Sequence, residues 1–155
     1  MKINDTVKFL APHYLSKLAT PENGSHSVDT QRSQEKMAMA QFIVESLREQ
    51  GFECEPPGTY AKFHGGVFFD IFWQSYKFWC ALFLKNEQDW SLNILSMHAH
   101  DAILSKSLYN KQDLDEWRTV CEAVDKVLRS DARITIVRWF SSEEWLEEPE
   151  QKSAP

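Results

Sequence analysis

Two histidines placed two residues apart are the strongest candidates for chemistry in this sequence. They are His98 and His100, and Asp101 follows them directly. On a strand, residues i and i+2 point to the same face, so the two imidazoles are spaced to share one metal ion. Two ligands do not close a metal site, so His64 or Asp70 would have to complete it through the fold.

The stretch 96–101 resembles part of the H-x-H-x-D-H zinc signature of the metallo-β-lactamase-like hydrolases. It departs from that signature because Asp101 comes one residue early and the final histidine is missing. The resemblance implies a small zinc-dependent enzyme or ligand-binding protein with a site at His64, His98, His100 and Asp101. The competing interpretation is a pair of half-exposed, hydrogen-bonded histidines at a strand end, with no cofactor.

Nucleophilic and phosphate-binding motifs are absent from the sequence. There is no G-x-S-x-G elbow and no glycine-rich phosphate loop, and His64-Gly65-Gly66 is typical of a turn. Cys80 and Cys121 lie on apolar faces and are predicted to be small core residues. Cys54 lies between two glutamates, which makes it a poor thiolate. These features favour a binding protein over an enzyme.

Asp70 is an unusual carboxylate because its sequence neighbours are apolar. Phe69 and Ile71 flank it, and Phe68 and Phe72 share its face of a predicted strand. A carboxylate among aromatic rings needs a cationic partner or a raised pKa. The candidate partners across the sheet are Lys62, Lys77 and Arg138. A structural or partner-facing ion pair is favoured over an acid catalyst.

The middle of the chain is exceptionally aromatic. Ten of the 26 residues from Tyr60 to Lys85 are Phe, Trp or Tyr, which exceeds what one core face holds. Large aromatic side chains dominate protein interfaces energetically. The sequence therefore predicts either a sheet covered on both faces or an aromatic surface, formed by Trp79 with Phe83 or by Phe68 with Phe72.

The charge is unevenly distributed along the chain. The net charge is −6, and the last fifteen residues carry −4 of it, so the remaining 140 residues carry only −2. This balance lacks the basic footprint of a nucleic-acid-binding or anionic-membrane-binding protein. It suits a basic protein partner, because opposite fields accelerate encounter.

The cysteine count and the apolar runs indicate the compartment. Three widely spaced cysteines form no C-x-x-C pair, no signal-peptide run begins the chain, and the longest apolar stretch is too short for a membrane helix. These features predict reduced thiols in a cytoplasmic protein.

The periodicity of apolar residues predicts an α+β fold in the order α-α-β-β-β-β-α-β-α. Its core is an antiparallel meander of four to five strands with helices packed on one face. We expect an N-terminal helix from Asp5 to Leu18 and a mobile linker within residues 1–28, one α+β domain over residues 29–148, and a disordered acidic tail over residues 149–155. Within the domain, helices are expected from Asp29 or Thr30 to Gln50 and from Asn110 or Asp113 to Ser130. The last strand, Arg133 to Phe140, is expected to carry Ile134 and Ile136 on one face.

These features together predict a small protein-binding module that neutralises or escorts a basic partner. Bacterial immunity proteins and type III secretion chaperones are similar in size, acidity and α+β build, although no motif of either is present. A homodimer through the spare aromatic face is a further alternative. The predicted partner-binding residues are Asp70, Trp79, Phe83, Glu143, Glu144 and Trp145.

Overall fold

A six-stranded antiparallel sheet organises the computed structural model of this protein. The structure describes residues 4–12, 14, 28–59, 65–86, 88–97 and 110–141. Within these residues the strands lie in the order β2-β3-β4-β5-β1-β6. Their bounds are Thr6–Leu10 (β1), Glu53–Cys54 (β2), Gly66–Trp73 (β3), Tyr76–Lys85 (β4), Asp89–Ser96 (β5) and Thr135–Phe140 (β6). This confirms the predicted α+β class and the antiparallel meander, with six strands instead of four to five.

Two helices, α1 (Val28–Glu49) and α2 (Lys111–Arg129), flank the meander in the chain. Both helices begin and end close to the residues predicted from the sequence. Gly51 follows α1 with a φ of +95°, a conformation that glycine adopts without steric cost. Asn110 caps α2: its side chain accepts from the Asp113 amide, and its own amide donates to the Asp113 carboxylate, both at 2.8 Å. Neither described helix combines the length and apolar character needed to cross a membrane.

One face of the sheet and the apolar stripes of both helices form the core. Period-two alternation places the buried residues of β3, β4 and β5 on this face. They are Val67, Phe69, Ile71, Phe78, Cys80, Leu82, Trp90, Leu92 and Ile94. The helices contribute Met39, Ile43, Leu47, Trp117, Cys121, Val124 and Leu128. We call the opposite sheet face the outer face.

Hydrogen bonds from buried aromatic side chains join α2 to the sheet. Trp117 Nε1 donates to the carbonyl of Ile94 at 2.8 Å, and Trp139 Nε1 donates to Asp125 Oδ1 at 2.8 Å. Tyr76 Oη donates to Asp113 Oδ1 at 2.9 Å. A buried polar group without a hydrogen-bond partner is energetically costly, so these bonds favour one position and orientation of α2 on the sheet.

The predicted N-terminal helix is wrong for the residues that the structure describes there. Thr6–Leu10 is a strand, and it lies between β5 and β6 with antiparallel pairing to both. Val7 and Phe9 point into the core and Lys8 points away from it, which is the alternation of a strand. The helical spacing of Val7 and Leu10 was misleading because two neighbouring strands provide hydrogen bonds that local spacing does not reveal.

The last strand is also different from the prediction in one respect. Ile134 is buried, whereas Ile136 is 56% exposed and has a φ of +51°. The pairing with β1 shifts register between Lys8 and Leu10, so β6 holds one extra residue at this point. This β-bulge directs Thr135 and Ile136 away from the core and separates the two isoleucines.

Candidate functional site

The outer face carries a group of four aromatic residues on β3 and β4, which we call the aromatic patch. Its members are Phe68, Phe72, Trp79 and Phe83. Phe68 and Trp79 stack with ring centroids 5.1 Å apart and planes 11° apart. Phe83 meets Phe68 edge-on at 6.1 Å. Phe68 is only 3% exposed, whereas the other three are partly exposed. The aromatic patch therefore consists of partly exposed rings that pack around the buried ring of Phe68.

A glycine makes this packing possible. Gly66 begins β3 directly opposite Phe83. A Cβ atom at this position would lie 2.7 Å from a ring carbon of Phe68 and 2.8 Å from a ring carbon of Phe83. The two rings therefore occupy the space that a side chain would need, and only glycine allows them to close over the strand.

Asp70 lies beside the aromatic patch, directly opposite Trp79 in the sheet. Its Oδ2 forms an ion pair with Lys77 Nζ at 3.6 Å, which selects Lys77 from the three predicted partners. Lys62 lies outside the described residues, and Arg138 is on β6, at the opposite edge of the sheet. Asp70 Oδ1 is buried and has no hydrogen-bond partner among the described residues.

Acidic side chains surround this half of the outer face. Glu53 pairs with Phe72 across β2 and β3, and the Glu55 amide donates to the Asp70 carbonyl at 3.0 Å. Both glutamates are exposed. With Asp70, and against Lys77 and Lys85 on β4, they give this half of the outer face a formal charge of −1. Aromatic side chains and negative charge therefore occur together on β2, β3 and β4.

The other half of the outer face contains a cleft of about 730 Å³. Its described lining comes from four adjacent strands, β4, β5, β1 and β6. The lining residues are Lys8, Phe9, Leu10, Phe83, Lys85, Asp89, Trp90, Ser91, Asn93, Ile136, Arg138 and Phe140. Three cations and one carboxylate give it a formal charge of +2.

The cleft forms because small side chains on β5 lie between bulky ones on neighbouring strands. Ser91 and Asn93 are flanked by Phe83 on β4 and by Phe140 on β6. Thr6 Oγ1 donates to Asn93 Oδ1 at 2.9 Å. This leaves the two N–H donors of Asn93 Nδ2 without a partner among the described residues.

The structure tests only part of the predicted site. It brings Asp70, Trp79 and Phe83 together on two adjacent strands. The predicted partner-binding residues Glu143, Glu144 and Trp145 lie outside the described residues, as do the predicted metal ligands His64, His98, His100 and Asp101. Within the described part of the chain, no group of three metal-ligating side chains occurs.

The three cysteines are free thiols buried in the structure. Cys80 and Cys121 are core residues, as the sequence predicted. Burial raises the pKa of the Cys54 thiol to about 11. The positive charge of Arg48 opposes this increase in part, and the negative charge of Glu53 adds a smaller increase of its own. Burial also raises the pKa of Cys80. Neither of these two thiols is suited to act as a nucleophile, because the protonated form persists well above neutral pH.

The cleft is the feature that sequence reasoning missed. Lys8 and Arg138 lie near opposite ends of the chain, and only the pairing of β1 with β6 brings them together. The alternation of polar Thr6 and Lys8 with apolar Val7 and Phe9 was a usable signal, but this segment was predicted to be a helix.

Comparisons with known proteins identify no relative. No protein-family model matches the chain, and no curated protein or solved structure matches it significantly.

Proposed function

We propose that this protein is a small binding module that neutralises or escorts a basic partner protein, and that the aromatic patch is its docking surface. The observation that carries the proposal is the placement of Trp79 and Phe83, partly exposed, beside the carboxylate of Asp70. Interfaces of this kind combine aromatic anchors with a few polar groups that fix the orientation of the partner.

The rigidity of the aromatic patch supports this role. Trp79 stacks on a buried ring, Phe68, and Phe83 is held against the same ring. Side chains fixed before binding lose little conformational entropy when a partner docks. Contacts of a partner with Trp79 and Phe83 would therefore stabilise the complex with little loss of side-chain entropy in this protein.

Charge supports a basic partner for this half of the sheet. Glu53, Glu55 and Asp70 outnumber Lys77 and Lys85 beside the patch, and the whole chain carries −6. A Lys or Arg side chain of the partner has both a carboxylate and an aromatic face to contact here, an arrangement that suits ion pairing and cation–π contact. The three buried free thiols suit a reducing compartment, and we place the interaction in the cytoplasm.

Native mass spectrometry of the untagged protein from its own host tests the proposal. The expected result is a complex of fixed stoichiometry with a protein of basic isoelectric point. Trp79→Ala should abolish the complex, and Asp70→Asn, which keeps the shape of the side chain, should weaken it. Glu122→Gln, an exposed change on α2, is the matched control and should leave the complex intact.

Three outcomes would overturn the proposal. They are a lone chain, a homodimer in place of a heteromeric complex, and a partner retained equally by Trp79→Ala and the control. Once the partner is purified, its own activity assay with and without this protein distinguishes neutralisation from escort. Neutralisation predicts loss of that activity at one equivalent, whereas escort predicts better solubility with activity recovered on release.

A further inference from the structure

The cleft on β4, β5, β1 and β6 is positively charged in a negatively charged chain. Lys8, Lys85 and Arg138 line it with a single carboxylate, that of Asp89. Asp89 Oδ2 already accepts a hydrogen bond from Asn86 Nδ2 at 3.2 Å. Among the described lining residues, three are cations and one is a carboxylate, although the chain as a whole carries −6.

Arg138 lies directly opposite Lys8 in the pairing of β6 with β1. Lys8 Nζ lies over the Phe140 ring, 5.5 Å from its centroid. Among the described residues, neither Arg138 nor Lys85 takes part in an ion pair. A bound anion would give these two cations a negatively charged partner, so both are suited to binding a ligand in the cleft.

Backbone strain occurs at the wall of the same cleft. Ile136 lines it with a φ of +51°, a conformation that is a genuine outlier for a β-branched residue. Its side chain is 56% exposed, so burial in the core does not offset this strain. The positive φ lies at the β-bulge of β6, and both bulges and strained backbone are over-represented beside binding and active sites.

The walls and floor of the cleft indicate the shape of the ligand. Phe83 is partly exposed and provides aromatic surface. Phe140, on the other side, is only 4% exposed, and Lys8 Nζ lies over its ring, 5.5 Å from the centroid. Ser91 and Asn93 form a low polar floor between these two residues. The two donors of Asn93 Nδ2 have no partner among the described residues. A volume of about 730 Å³ lies within the range of small-molecule sites.

We infer that this cleft binds a small organic anion with a planar apolar body, of which an aryl carboxylate is the simplest example. The exposed part of Phe83 would contact the ring system, while Arg138 or Lys85 pairs with the carboxylate and Asn93 donates to it. A metal ion is a poor alternative, because Asp89 is the only carboxylate in the described lining and no His or Cys is present there. The cleft shares Phe83 with the aromatic patch, but the inference does not depend on Asp70 or Trp79, which are central to the proposed partner binding.

Isothermal titration calorimetry of the full chain with 2-naphthoate tests the inference, and neutral 2-naphthamide serves as the matched ligand. We expect 2-naphthoate to bind at least about 10-fold more tightly than the amide, because charge-assisted hydrogen bonds form only with the carboxylate. The double variant Arg138→Gln, Lys85→Gln should lose about 10-fold or more in affinity for 2-naphthoate. Lys126→Gln, an exposed change on α2, is the control and should bind as the unmodified chain does.

Circular dichroism of each variant establishes that it is folded before the titration. Because both changed cations are exposed, the double variant is expected to fold. Equal affinity for the amide and the carboxylate, unchanged affinity in the double variant, or no binding of 2-naphthoate at millimolar concentration would each overturn the inference. Loss of partner binding through Trp79→Ala with naphthoate binding intact would separate this site from the docking surface.

Discussion

Gly66 lies directly opposite Phe83 on the outer face, and the ring of Phe83 occupies the place where a side chain at residue 66 would begin. Phe68 closes over the same glycine from its own strand, so one missing methyl group allows two rings of the aromatic patch to pack. The proposed docking surface therefore depends on a residue that has no side chain of its own.

Gly66→Ala is expected to lower the free energy of unfolding by about 1–3 kcal/mol, because the added Cβ would overlap both rings. Urea denaturation measures the change. Gly58→Ala is the matched control, since nothing lies within 4 Å of a Cβ at that position. Equal effects of the two substitutions would contradict the role assigned to Gly66.

Asp125 is expected to contribute to the packing of α2 against the sheet. Its Oδ1 accepts from Trp139 Nε1 and from Arg129 Nε, both at 2.8 Å. Asp125→Ala leaves the indole N–H of Trp139 without its acceptor and should cost about 1–3 kcal/mol of unfolding free energy. Asp115→Ala removes only a partly exposed pair with Arg118 and should cost less than about 1 kcal/mol. If thermal or urea denaturation gave both variants the same stability, the assignment would fail.

Ile136→Gly is expected to stabilise the protein, which is unusual for a substitution that removes a large side chain. The positive φ of Ile136 costs about 1–2 kcal/mol for a residue with a Cβ, and its exposed side chain contributes little burial. After the entropy cost of glycine, a net gain of about 0.5–1 kcal/mol remains. The same change at Thr135, an exposed neighbour without a positive φ, should destabilise by a similar amount. Chemical denaturation measures the change in unfolding free energy of the two variants. The prediction fails if Ile136→Gly lowers the unfolding free energy as Thr135→Gly does.

Stability is expected to fall as the pH rises from 9 towards 11. The Cys54 thiol has an ordinary pKa of 9.0 and a folded-state pKa of about 11, so the unfolded chain releases this proton first. Unfolding then releases a proton over this range, and the unfolding free energy decreases with rising pH. Below pH 9 the thiol is protonated in both states, and its contribution to stability is constant.

Urea denaturation at several values between pH 7.5 and pH 10 measures this dependence. Cys54→Ala should flatten the decrease without removing it, because the pKa of Cys80 is raised as well. A uniform offset caused by the smaller side chain is expected at every pH and does not affect the slope. An identical slope in the two proteins would contradict the burial of this thiol.

Local sequence signals determined the helices, the meander and half of the candidate site. Apolar periodicity located α1 and α2, and Asn110 and Gly51 marked helix ends because capping depends on neighbouring residues. The period of two along β3 and β4 assigned residues to two faces, but it left open whether Trp79 with Phe83 or Phe68 with Phe72 formed the aromatic surface, and the structure places all four on one face. Composition alone indicated that the aromatic residues exceed one core.

Only the tertiary structure determined that Thr6–Leu10 forms a strand and where the cleft lies. Thr6–Leu10 is a strand because β5 and β6 provide hydrogen bonds on both of its sides, and no local pattern encodes that choice. The same pairing brings Lys8 opposite Arg138 and Ser91, so the cleft consists of residues that are distant in the chain. Cross-strand neighbours depend on register and on burial of a shared face, and both are properties of the assembled sheet.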